Sequence, residues 1–252
     1  YLFDLYQPQG DNLTHRPLII WMHGGGFVFG SKADNNTRLW SETFTRRGYV
    51  CAAINYRTGG ITSIFSFDKL VKNSYRAVLC ARQAVAYFRK NYKHFGIDPD
   101  KIILAGNSAG AIIALQTAYS SNSQLANELH MPKPAVDDGP TAVAGVINFW
   151  GGLYNINWLK NARVPIVSIF GSTDKIVRPD YHKGLYGGRA IHEQAGKQSI
   201  TNAIKVFDGF GHELEKHFNP LPVHPGKKAT KQRWLQAGQF AADFLYAHVL
   251  PL

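Results

Sequence analysis

Ile102-Ile103-Leu104-Ala105-Gly106-Asn107-Ser108-Ala109-Gly110-Ala111-Ile112-Ile113-Ala114-Leu115 is the stretch on which the fold turns. Its first four residues form an apolar run that predicts a buried strand. Its last five predict the start of a helix. Gly-x-Ser-x-Gly between strand and helix is a nucleophile elbow. The turn is sharp, so the residues two before and two after the serine must be small, and Gly106 and Gly110 meet that need. Ser108 then stands above the strand end with its hydroxyl exposed. The helix N-terminus behind it favours developing negative charge. The competing reading is a glycine-rich turn with a helix-capping serine.

A strand–elbow–helix needs a sheet around it, and the chain supplies one. Tyr1 to Tyr6 is a strand-like run stopped by Pro8, and Pro17 to Met22 is a second, more buried one. Further strands are expected at 49–56, 143–149, 165–170 and 204–207. Between them, Asn35-Asn36-Thr37 offers caps for a helix carrying Leu39, Trp40 and Phe44. Leu70, Ala77, Val78, Ala81, Val85 and Phe88 recur at three- and four-residue steps over about 68–93, which predicts a long helix with one buried face. A final helix is expected over about 230–248, and 120–140 reads as a polar loop. Alternating strands and helices give a mainly parallel sheet covered on both faces. The first two strands are too closely connected for a parallel crossover and are expected to form an antiparallel edge pair.

The chain has 252 residues, 45% of them hydrophobic and 18% charged, which suits one α/β domain spanning 1–252. No apolar run has membrane-spanning length. Cys51 and Cys80 are the only cysteines, read as two buried thiols with one disulfide as the alternative. No metal-ligand spacing appears, so neither metal nor organic cofactor is expected. The formal net charge is +11. The basic residues are mostly scattered; their densest run, Lys227-Lys228 to Lys231 and Arg233, reads as a solvated helix start rather than a nucleic-acid site. An anionic polymer or surface stays open as a partner. Oligomeric state and compartment are not fixed by the sequence. The absence of an initiator methionine fits a secreted or periplasmic mature chain, and equally a trimmed one.

A serine that attacks a carbonyl needs donors for the resulting oxyanion. His23-Gly24-Gly25-Gly26 follows the second strand, where glycines let the backbone approach a substrate closely. The HGGG pattern assigns the donors to the N–H groups of Gly25, Gly26 and Ala109. His23 reads as a residue that pins the loop. The serine also needs a base, and the base needs an orienting carboxylate. Asp174 lies just past the strand ending at Phe170, on the same sheet edge as Ser108, with Asp180 as runner-up. Ten histidines compete for the base. His212, in Gly209-Phe210-Gly211-His212-Glu213 after the last strand, is flanked by glycines that let it reach Ser108. His217 and His224 lie farther on. Phe27, Phe29 and Trp150 are expected to line the substrate cleft, with packing as the equal alternative. Residues 176–199, with Tyr181, Leu185 and Tyr186 between Gly184, Gly187 and Gly188, read as a small amphipathic lid.

With Ser108, Asp174, His212 and His23 to Phe27 in this order, the chain resembles the α/β-hydrolase superfamily, and within it the serine carboxylesterases and lipases with an HGGGF loop, the hormone-sensitive-lipase and carboxylesterase branch. Phe3-Asp4-Leu5-Tyr6-Gln7-Pro8 is similar to the entry strand of that group. The resemblance covers essentially the whole chain. It implies a Ser-His-Asp carboxylic ester hydrolase acting through an acyl-enzyme, without a cofactor. Asn107 departs from the acidic residue most often found at the elbow. The long N-terminal cap of many members is absent, because Tyr1 already begins the first strand: either it was trimmed or the site is open, and an open site would suit small, aromatic, carbohydrate-linked or polymeric esters, synthetic polyesters included. Amide or peptide hydrolysis on the same triad, and a silent binding protein on the same scaffold, are the alternatives.

Overall fold

Along Leu18-Ile19-Ile20-Trp21-Met22 every residue is buried, but alternate side chains enter different cores: Leu18, Ile20 and Met22 one, Ile19 and Trp21 the other. Ile102 and Leu104 divide from Ile103 and Ala105 in the same way. Successive side chains of a strand point to opposite faces, so a strand covered on both sides reads as a continuous apolar run. The structure, a computed structural model, describes residues 2–10, 12–62, 66–132, 134–135, 137, 139–216 and 228–250. Lys227, His217 and His224 lie outside them.

Strands β1 (Phe3–Tyr6), β2 (Arg16–Met22), β3 (Val50–Ile54), β4 (Ile97–Asn107), β5 (Gly145–Phe149), β6 (Ile166–Gly171) and β9 (Asn202–Phe207) form one sheet in the order β1-β3-β2-β4-β5-β6-β9. β1 is antiparallel and every other neighbour is parallel. The edge strand is therefore antiparallel, as expected, but its partner is β3. β2 lies inside the sheet between β3 and β4, where its apolar residues are buried on both faces.

Helices α2 (Phe67–Lys90), α4 (Ala109–Tyr119), α5 (Asn122–Glu128) and α6 (Gly188–Lys197) supply side chains to the core on one face. α1 (Asn35–Thr45) and α7 (Lys228–His248) supply the other. A short α3 (Tyr92–Phe95) leads into β4. All residues of α4 are buried, as a helix apolar on every side must be. Cys51 and Cys80 are free buried thiols that belong to different cores. Burial pushes the Cys51 thiol up to about 12.

The stretch 176–199 corrects the expected lid. Residues 188–197 are α6, which carries the chain from β6 back to β9 and buries Ile191 and Ala195. Only β7 (Tyr181–His182) and β8 (Leu185–Tyr186) form a separate hairpin. That hairpin is tied to the fold by reciprocal backbone bonds of 2.8 Å between Leu153 and Tyr186. α5, inside the expected polar loop, is opened by a capping box in which Ser121 and Gln124 each bond the other's backbone N–H.

Strand order places the site. From β2 the chain passes through α1 to β3 on one side, then through α2 to β4 on the other, so the ends of β2 and β4 flank a topological switch point. The register pairs Met22 with Gly106, which sets the loop after β2 level with the elbow. It also pairs Gly171 with Phe207, which sets the loops carrying Asp174 and His212 side by side.

Candidate active site

Ser108 sits at φ 52° and ψ −119°, a conformation an L-residue adopts only under constraint. Two backbone bonds hold it there. Its N–H donates to Phe149 O at 2.9 Å, and its carbonyl accepts from Ile112 N–H at 3.0 Å as the first bond of the helix. A Cβ on Gly106 would come within 2.4 Å of Gly110 C, and one on Gly110 within 2.0 Å of Met22 O. The two elbow glycines are therefore dictated by the approach of strand, helix and neighbouring loop.

Around Ser108 the structure brings together the carboxylate and the imidazole expected from the sequence. His212 Nε2 lies 2.9 Å from Ser108 Oγ, and His212 Nδ1 lies 2.8 Å from Asp174 Oδ2. Asp174 and His212 are each 3% exposed. The other oxygen, Asp174 Oδ1, accepts from Ile176 N–H at 2.8 Å and Val177 N–H at 3.0 Å. An acceptor-only carboxylate thus faces three donors, with Nδ1 carrying a proton and Nε2 free to accept from the serine. Asp180, the runner-up, instead pairs with Arg189 at 3.0 Å on the surface.

The loop under His212 is held from α7. Arg233 Nε donates to Leu214 O at 2.6 Å and Trp234 Nε1 to Glu213 O at 2.8 Å. Glu213 and Leu214 both have positive φ, 56° and 60°. Burial raises the Glu213 carboxyl above the usual carboxylate range, although neighbouring His212 opposes the shift. These holding residues were missed from the sequence, because they lie about twenty positions from the histidine and carry no motif.

Gly25 has φ 99°, and its carbonyl accepts from Val28 and Phe29 N–H groups at 3.1 and 2.9 Å. The N–H groups of Gly25, Gly26 and Ala109 have no acceptor among the described residues. His23 is 1% exposed and stacks on Tyr56 with centroids 4.1 Å apart. Its Nδ1 donates to Gly24 O at 2.8 Å, while Tyr56 Oη donates to His23 O and Gly24 O at 2.9 and 3.2 Å. Burial lowers the His23 pKa and keeps the ring neutral. Tyr56, unmarked in the sequence, is thus the clamp of the glycine loop. Tyr56→Phe keeps the ring but removes a donor from two buried carbonyls. We expect it to cost about 1–2 kcal/mol of stability, read from the urea midpoint.

Two of the expected cleft residues are corrected. Trp150 is 1% exposed, stacked on Phe149 at 5.6 Å and packed on Trp40 at 5.8 Å. Its φ of 43° breaks the alternation of the strand, so it joins Phe149 in the same core. Phe27, at φ 62°, is 6% exposed and belongs to the opposite core. Phe29 is exposed, at 53%. Among the described residues, no group of three His, Cys, Asp or Glu side chains is placed to hold a metal ion, and no helix is long and apolar enough to cross a membrane.

Residues 3–176 match the family described as BD-FAE. The chain belongs to the BD-FAE family. The matched segment of this BD-FAE chain contains the glycine loop, Ser108 and Asp174, and ends before His212. Bile salt-activated lipase of Bos taurus is 32% identical over 130 residues, 48% of this chain and 22% of the lipase. Gut esterase 1 of Caenorhabditis briggsae is 30% identical over 104 residues, 41% of this chain and 18% of the esterase. The chain thus spans about a fifth of the length of these curated relatives. The butyrate-bound structure of an esterase from Thermogutta terrifontis superposes with a TM-score of 0.75 at 20% identity, covering 99% of this chain and 91% of the other. The BD-FAE chain has the α/β-hydrolase fold.

Proposed function

We propose that this protein is a serine carboxylesterase. The observation that carries the reading is the continuous Ser108–His212–Asp174 relay, with bonds of 2.9 and 2.8 Å, beside N–H groups that have no acceptor among the described residues. Ser108 Oγ attacks the ester carbonyl while His212 Nε2 takes its proton. Asp174 keeps the Nδ1 proton in place and stabilises the imidazolium. The N–H groups of Gly25, Gly26 and Ala109 receive the oxyanion, Ala109 from the first turn of α4. His212 then protonates the departing alcohol. Water, deprotonated by the same imidazole, attacks the acyl-enzyme, and the acid leaves as Ser108 regains its proton. No step calls for a metal or an organic cofactor.

Short or aromatic acyl groups, including those on carbohydrates or polymers, are the proposed substrates, turned over by one domain spanning 1–252. Support for a short acyl chain comes from the butyrate held by the Thermogutta terrifontis esterase, and from Trp150 and Phe27, which are committed to the cores and unavailable to line a long apolar tunnel. Initial rates on p-nitrophenyl esters from acetyl to palmitoyl test the reading. The rate is expected to peak at two to four acyl carbons and to fall at least tenfold by eight. A rate sustained to palmitoyl overturns the short-chain part, and no hydrolysis of any ester overturns the whole.

A further inference from the structure

Beside the glycine loop lies a second concavity that the triad does not use. The segment after β3 and the first turns of α2 form an open cleft of about 340 Å³ lined by Arg57, Gly59, Lys69, Lys72, Asn73 and Arg76, among others. Lys69, Lys72, Asn73 and Arg76 follow the i, i+3, i+4, i+7 spacing and share one face of the helix. Arg57 lines the cleft from the segment after β3. No carboxylate is among the lining residues, and Arg57, Lys69 and Arg76 form no ion pair with a described residue.

The floor gives an independent indication. Asn73 is 8% exposed, and its amide Nδ2 has no acceptor among the described residues. It rests directly on Gly59, where a Cβ would fall 1.8 Å from Nδ2. Buried donors are rarely left unmatched, so this amide, beneath Gly59 in the wall of the cleft, is a polar atom the fold itself does not satisfy among the described residues. The cleft is also coupled to the glycine loop, because Gly59 N–H donates to Phe27 O at 2.8 Å. Anything held between Arg57 and Arg76 therefore lies one loop away from the proposed oxyanion donors.

We propose that this cleft is an anion subsite, which holds a carboxylate, sulfate or phosphate group carried by the ester substrate itself. The inference rests on the esterase reading for its substrate. It makes acidic esters the preferred class, and the net charge of +11 concentrates such substrates near the protein.

The test compares acetyl release from acetylated trigalacturonate, which is acidic, with that from acetylated cellobiose, which is neutral. The kcat/KM ratio of acidic to neutral substrate is expected to be at least tenfold at 50 mM NaCl. It should fall to within twofold of unity in the combined variant Arg57→Gln, Lys69→Gln, Arg76→Gln, and in wild type at 1 M NaCl. These side chains are exposed, so a thermal melt establishes that the variant is folded. Trigalacturonate binding to Ser108→Ala, measured by calorimetry, is expected to weaken at least tenfold when the three changes are added. That arm reads the cleft even if ester turnover fails. An unchanged ratio in the variant, or unchanged binding, overturns the proposal. So does stimulation of neutral-ester turnover by free sulfate or citrate without competition against the acidic ester, since the cleft would then serve a free anion.

Discussion

Ser108→Ala is expected to lower kcat/KM on p-nitrophenyl acetate by roughly a millionfold, to the level of the uncatalysed background in most assays. The size follows from what the hydroxyl does. In the proposed mechanism it is the atom that forms the covalent intermediate, and the imidazole that takes its proton lies 2.9 Å away. The fold is expected to persist, because the elbow is built from the backbone. The bonds from Ser108 N–H to Phe149 O and from Ile112 N–H to Ser108 O do not involve the side chain. Far-UV circular dichroism and the melting temperature should match those of the wild type. Retention of more than about 1% of the rate by a folded variant, well above the loss expected for a nucleophile, would show that another residue attacks.

The parts of the site that were legible in the sequence share one property. Each lies within a few residues of a strand's carboxyl end, where its chemistry is announced locally. Gly106-x-Ser108-x-Gly110 is a steric requirement written in five residues, and the structure returns it as the 2.0 and 2.4 Å approaches that a Cβ would make. Asp174 follows β6 by three residues and His212 follows β9 by five. Parallel strands in register, with Gly171 opposite Phe207, then leave little choice about where those loops meet. The sheet was legible for a related reason: strands covered on both faces are long apolar runs.

What was not legible depends on distant residues or on weak local patterns. α6 was read as part of a lid because its buried residues include only Ile191 and Ala195 as apolar anchors, between glycines and charges. Gly188, Ile191 and Ala195 do lie on one helical face, but Tyr181, Leu185 and Tyr186 among glycines drew the whole stretch into one reading. α5 carried a usable signal in Ser121-x-x-Gln124, a capping-box pattern hidden in a polar stretch. Trp150 and Phe27 stand beside glycines at strand ends, where aromatic residues suggest a cleft. Positive φ values at both residues accompany their burial in the cores, and side-chain chemistry alone gives no hint of that turn. Tyr56, Arg233 and Trp234 act on loops from far along the chain, so only the assembled sheet shows what they hold.

Asp174→Asn is expected to cost about ten-thousandfold in kcat near neutral pH while leaving the melting temperature within a few degrees of wild type. The loss follows from counting donors. In the native site Oδ1 accepts two backbone N–H groups, from Ile176 and Val177, and Oδ2 accepts the Nδ1 proton of His212. An asparagine offers one acceptor and one NH2 at these positions. If its oxygen faced His212, the NH2 would confront two backbone donors that have no other acceptor among the described residues. Turning the oxygen toward Ile176 and Val177 satisfies both and points the NH2 at Nδ1. His212 must then present a bare Nδ1 and carry its proton on Nε2, facing Ser108. In that tautomer the imidazole has no lone pair for the serine proton, so the base is disabled although every heavy atom stays in place. Nitrogen NMR of the labelled imidazole reads the exchange directly: protonation at Nδ1 in wild type, at Nε2 in the variant. A variant that loses activity but keeps the wild-type tautomer would assign the effect of Asp174 to charge alone. Full activity would remove Asp174 from the mechanism.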